Sequence, residues 1–153
     1  MNKWHLYLLI CTITIFGCAG KPQSNLGVTN GRLSPCPKSP NCVSSQSPDA
    51  DHFIEHLYYK GTKEKAKENL IALIQSMNRV KIVTVTKDYI HVEFFSRIFR
   101  FVDDVKFLFE EQNKRIHLRS ASRVGYFDLG VNRKRIEKIR LKFMDSLQIQ
   151  HQD

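Results

Sequence analysis

Apolar and polar positions along this chain repeat with two different periods, and the changes of period mark its elements. Ala66, Leu70, Leu73, Ile74 and Met77 recur at three- and four-residue spacing behind Thr62, whose hydroxyl can accept from otherwise unpaired amides. That pattern predicts a capped amphipathic helix over about 63–78. Val80 to Thr86 is rich in β-branched residues and reads as a strand. Lys87-Asp88 makes a turn, and Tyr89 to Phe95 alternates as a second strand with Ile90, Val92 and Phe94 on one face.

Two longer alternating runs follow, Arg100 to Glu110 and Arg115 to Ser122, either side of Glu111-Gln112-Asn113-Lys114. With Gln112 and Asn113 as the turn, Phe109 faces Ile116, Phe107 faces Leu118, Val105 faces Ser120 and Asp103 faces Ser122. Glu110 then meets Arg115 as an opposite-charge pair. The one polar intruder on the apolar face is Asp103, which needs partners there. Ser122 with Arg123 or an arginine of the following loop would serve, or a bulge at Asp103-Asp104 would turn the carboxylate away. Gly125 to Gly130 reads as a loop, Asn132 as a helix cap, and Ile136, Ile139, Phe143 and Leu147 as the stripe of a last helix. The expected fold is α+β: helix, four-stranded antiparallel meander, helix, in a two-layer sandwich.

The start of the chain has a different character. Lys3 precedes an apolar run from Trp4 to Phe16, and polar sequence begins at Lys21. A spanning helix needs about 20 apolar residues, so this run reads as a secretory signal over residues 1–17. Ile15-Phe16-Gly17-Cys18 resembles a bacterial lipobox. The resemblance implies a diacylglyceryl group on the Cys18 thiol, cleavage before it, and acylation of the new amine, for instance by palmitate. Ala19 in the next position implies the outer membrane, periplasmic face, rather than the inner membrane. Two or more acyl chains anchor stably without any spanning helix. Residues 18–34 are then expected to be a lipidated, flexible tether, and residues 35–150 a single globular domain.

Export changes the reading of the remaining cysteines. Cys36 and Cys42 bracket Pro37-Lys38-Ser39-Pro40-Asn41 in a compartment where disulfides persist. A bridge there would pin the N-terminal loop and remove roughly 2 kcal/mol of unfolded-state entropy. Zinc would need a second pair of ligands, so no metal is expected.

Four separated segments resemble the bacterial and plastid family called domain of unknown function 1499. They are Cys36-Pro-Lys-Ser-Pro-Asn-Cys42-Val-Ser-Ser45, Tyr89-Ile-His-Val-Glu-Phe94, Arg100-Phe-Val-Asp-Asp104-Val, and the arginine-rich stretch Arg119 to Arg140. The resemblance covers about residues 33–143 and implies an architecture but no established activity.

The arginine-rich stretch supports two readings. Arg119, Arg123, Arg133 and Arg135 could pair with Asp103, Asp104, Asp128 and Glu137 as a scaffold, since guanidinium forks suit carboxylates. Alternatively they could join the amides at the start of the last helix in an anion site, with Asp103, Asp104, Ser122, Asp128 and Asn132 as supporting network.

Catalytic arrangements fare worse. A triad of Ser120 or Ser122, His117 and Asp103 or Asp128 is opposed by strand alternation. His52 and His56 lack a third metal ligand. His91 and Glu93 share a strand face that reads as solvated. No glycine-rich phosphate loop exists, so no cofactor is expected.

The formal charge is +9, or +8 once Lys3 leaves with the signal. Export excludes nucleic acid; the charge suits anionic lipid or glycan instead. The expectation is a lipid-anchored cell-envelope protein with a non-catalytic binding or scaffolding domain, its protein partner unnamed. The alternative is an enzyme acting on envelope lipid or glycan through Asp103, Ser122, Arg123 and Asp128.

Overall fold

A computed structural model describes residues 27–149, so the expected signal segment 1–17 and the lipidation candidate Cys18 lie outside the described residues. In chain order the elements are β1 (Val28–Thr29), β2 (Arg32–Leu33), β3 (Cys42–Ser44), β4 (Leu57–Tyr58), α1 (Lys63–Gln75), β5 (Val80–Val85), β6 (Tyr89–Phe95), β7 (Val102–Glu110), β8 (Arg115–Ser122) and α2 (Val131–Ile149). The fold is α+β, with antiparallel sheets. Among the described residues no helix is long and apolar enough to cross a membrane.

Thr62 caps α1, its hydroxyl accepting from the Lys65 amide. The helix ends before its apolar pattern does. Ser76 forms the cap, Met77 already lies in the turn, and Arg79 adopts a left-handed φ of 56° that redirects the chain into β5. Periodicity cannot report that stop, because the turn residues continue to present apolar groups to the core.

The main sheet runs β3-β8-β7-β6-β5, with β4 also paired to β8. Between β7 and β8 the register is Phe109–Ile116, Phe107–Leu118, Val105–Ser120 and Asp103–Ser122, as side-chain alternation dictates. The register shift lies in β5, between Ile82 and Thr84, whereas Asp103 and Asp104 pair regularly with Ser122 and Ala121. The short strand β3 fills the free edge of β8. Three residues are too few for a period, so the sequence reads this stretch as loop.

Ile90, Val92, Phe94, Val105, Phe107, Phe109, Ile116 and Leu118 form a single apolar face. Leu70 and Ile74 of α1 and Ile136, Ile139 and Phe143 of α2 bury themselves against it. The buried members of this core all lie between Val43 and Phe143.

The opposite face of the sheet is not solvated. His91 and Asp104 are buried there, and Lys106 and Arg119 are 0% and 1% exposed. The N-terminal segment contributes the cover. Of the stretch expected as a tether, residues 28–33 form the β1–β2 hairpin. Leu33 is buried and its amide donates to Gln46 Oε1 at 2.8 Å. The Arg119 guanidinium reaches the Pro35 carbonyl at 3.4 Å. The Cys36–Cys42 disulfide ties the same segment to β3, with the Cα atoms 5.7 Å apart.

Candidate functional site

The polar residues singled out by sequence separate onto the two faces of the sheet. On the helix side, Asp103 is met by Arg135 of α2, Nη2 to Oδ2 at 2.5 Å, with the guanidinium stacked 4.8 Å over the Phe94 ring. Of the partners expected for Asp103, this is the Arg135 of the scaffold pairing, and neither Arg123 nor an arginine of the following loop serves it. One helical turn inside α2, Arg135 projects over the sheet, whereas Arg123 at the end of β8 points to the other face.

Asn132 is buried and joins these parts. Its amide nitrogen donates to the Asn41 carbonyl at 3.1 Å, Ser122 Oγ at 2.9 Å and Asp128 Oδ2 at 2.8 Å. Its oxygen accepts from Ser120 Oγ at 2.5 Å and Arg135 Nη1 at 2.8 Å. The carboxylate that serves the start of α2 is Asp128, which accepts from the Gly130 and Asn132 amides. Asn132 is a crosslink rather than the cap its position suggests.

On the covered face, Asp104 accepts two bonds from Arg123, at 2.8 and 2.7 Å, and one from His91 Nε2 at 2.7 Å. Arg123 also pairs with Glu93. Burial alone would raise the Asp104 carboxyl; the bonds from Arg123 and His91 outweigh it and lower the carboxyl to about 2. Lys106 stands next to Asp104 on the same face, opposite His91 and Arg119. Burial, reinforced by the charge of Arg119, lowers its ammonium to about 8. Burial also raises the Tyr89 hydroxyl to about 12, and that oxygen has no hydrogen-bond partner among the described residues. The expectation of a solvated face for His91 and Glu93 is corrected accordingly.

The four candidate arginines do not converge. Arg119 and Arg123 belong to the covered face and Arg135 to the helix side. Arg133 lies outside both, donating to the carbonyls of Asp51 and Phe53 at 2.7 Å each. His117, bonded to Glu110 Oε2 at 2.9 Å, lies across the sheet from Ser120 and Ser122. His52 is bonded to Asp49 at 2.6 Å, and His56 Nδ1 lies 2.7 Å from Glu55 Oε1. Among the described residues no group of three potential metal ligands forms.

A different set of cations does converge. A groove of about 420 Å³ runs between the end of α1 and the outer side of α2, lined by Arg79, Lys134, Arg135, Lys138 and Lys142 over Phe94 and Phe95. Arg135 is spoken for by Asp103. None of Arg79, Lys134, Lys138 and Lys142 lies within ion-pair distance of a carboxylate among the described residues. The sequence held a signal for this site in Lys134, Lys138 and Lys142, spaced by four on one helix flank. Arg79 joins them only through the tertiary fold.

Comparison with known proteins adds a family and no activity. No curated protein matches the chain. A family model covers residues 32–143, and on that match the chain belongs to the family described as Protein of unknown function (DUF1499).

Proposed function

We propose that this is a lipid-anchored cell-envelope protein whose folded domain binds an anionic envelope ligand without chemistry. The observation that carries the reading is the groove of Arg79, Lys134, Lys138 and Lys142, where cations converge with no carboxylate among the described residues at ion-pair distance. Like charges held together on a helix flank cost stability by repulsion, by a few tenths of a kcal/mol per pair. A bound phosphate or carboxylate removes that cost and adds roughly 1 kcal/mol per base near an anionic surface. The lipobox at Cys18 and the +8 formal charge of the cleaved chain favour a phospholipid, lipopolysaccharide phosphate or acidic polymer as the source. The enzyme alternative receives less support. Asp103, Asp104 and Asp128 are each committed to arginine, histidine or backbone partners, so none of the three is an unpaired carboxylate ready to move a proton.

The test uses inorganic polyphosphate as the anion and the unlipidated chain 19–153. Lys134→Glu with Lys138→Glu is expected to weaken binding at least about tenfold and to flatten its salt dependence. Both side chains are exposed, so the thermal midpoint should stay within a degree or two of the parent. Unchanged affinity in a folded double variant would sink the reading.

A further inference from the structure

The end of the sheet beside the basic groove carries apolar side chains that the fold does not use. The β6–β7 connection exposes Ile98, Phe99 and Phe101, and the β8–α2 connection exposes Tyr126, Phe127 and Leu129. Both loops leave the same end, since Phe95 pairs with Val102 and the Arg123 amide donates to the Val102 carbonyl at 3.0 Å. Within each loop the rings lie against one another, Phe99 with Phe101 at 5.4 Å and Tyr126 with Phe127 at 4.7 Å between centroids. Ile98 is 78% exposed, Phe127 72% and Leu129 87%. Leu129 also takes a left-handed φ of 54°, a conformation that glycine or asparagine adopts at less cost. Stability of the isolated domain therefore gives no reason for a leucine there.

The charges around these tips are predominantly positive. Residues 94–102 contain Arg97 and Arg100 and no carboxylate. Residues 123–136 contain a single carboxylate, Asp128, which is occupied by the amides that begin α2. Arg79, Lys134 and Lys138 stand behind the loops in the groove. A rim of cations around aromatic and aliphatic tips matches the layering of a bilayer interface, phosphate outside and acyl chain within.

We infer that the loops 96–101 and 124–131 insert their tips into the interface of an anionic phospholipid bilayer while the surrounding arginines and lysines take the headgroup phosphates. The inference rests on the envelope reading above and names its surface. The anchor permits it: nine links from Cys18 to Gly27 reach about 30 Å when extended, close to the length of β7. Each well-placed base contributes roughly fivefold in partitioning.

Trp4 is the only tryptophan and precedes the expected cleavage site, so Phe127→Trp in the chain 19–153 gives a lone reporter at one tip. With phosphatidylcholine vesicles containing phosphatidylglycerol, its emission should shift to the blue and the protein should co-sediment; with phosphatidylcholine alone, neither should happen. Ile98→Ser, Phe99→Ser and Leu129→Ser together should lower partitioning on the order of a hundredfold, with polyphosphate affinity and thermal midpoint unchanged. An emission maximum that stays put on anionic vesicles while polyphosphate still binds would overturn this inference and leave the anion-binding reading intact. Loss of polyphosphate binding in the parent chain would overturn both. A concentration-dependent dimer abolished by the triple substitution would assign the tips to a second copy and overturn the bilayer.

Discussion

Arg123→Ala is expected to cost about 3–5 kcal/mol of folding free energy, a large share of what a domain this size possesses. The guanidinium serves two carboxylates at once, with a bidentate fork on Asp104 and a further contact to Glu93. Asp104 is 1% exposed, so its charge depends on protein partners rather than on bulk water. His91 would remain hydrogen-bonded to it, with the Lys106 ammonium on the same face. Arg123→Lys should recover little, because an ammonium cannot reproduce two parallel bonds in one plane.

A second measurement separates loss of this pair from general damage. In the parent, the depressed Asp104 pKa means that the folded state binds fewer protons than the unfolded one between about pH 4 and pH 2. Its stabilisation is complete above that window and is lost as pH falls through it. Without Arg123, burial dominates and acid unfolding should begin at higher pH. Urea unfolding of the two proteins across that range tests both points. A loss below about 1 kcal/mol, at the level of a surface pair, would contradict the buried network.

Stability is also expected to rise as pH increases from about 8 to 10, unusually for so basic a chain. Lys106 is fully buried and its ammonium titrates near 8, against 10.5 when unfolded. Between those values the unfolded chain holds a proton that the folded chain has released, so raising pH favours folding. The full effect is about 3 kcal/mol. Its neighbours on that face are Asp104, His91, Arg119, Arg123 and Tyr89. Tyr89 acts in the opposite sense above pH 10, because its raised folded pKa makes the folded state retain a proton that the unfolded state has lost. A maximum near pH 10 follows. The urea midpoint against pH, with Lys106→Met as the comparison, checks it. The variant should show no rise over that window; an equal rise in both would remove Lys106 as the cause.

These effects arise on the face that sequence reads least well. Alternation placed Phe107 opposite Leu118 and Ile90 beside Val92, because one apolar face must meet the helices and a one-residue slip would expose it. The same alternation puts His91 and Glu93 on the other face, where their polarity reads as contact with water; in the structure Asp104, Lys106 and Arg119 are buried on that face. What reverses that is the polar N-terminal segment. Val28 to Pro35 has no period, and nothing in its composition reports that it folds back across β7 and β8. Arg135 is a parallel case. Its partnership with Asp103 depends on where α2 crosses the sheet, which no local pattern encodes. Arg79 reaches the basic groove through a left-handed turn at the end of α1, so only the lysine row of that site was legible along the chain.

The proposed anion and bilayer surfaces depend on the proposed attachment to a membrane, and the N-terminal residue of the protein recovered from cells tests that proposal most directly. Intact-mass analysis of the full chain, expressed in a bacterium and extracted from its membranes, should give a polypeptide beginning at Cys18. It should carry the added mass of a diacylglyceryl group and an amide-linked acyl chain. A chain still beginning at Met1, bearing no lipid and recovered from the cytosol, would contradict the account.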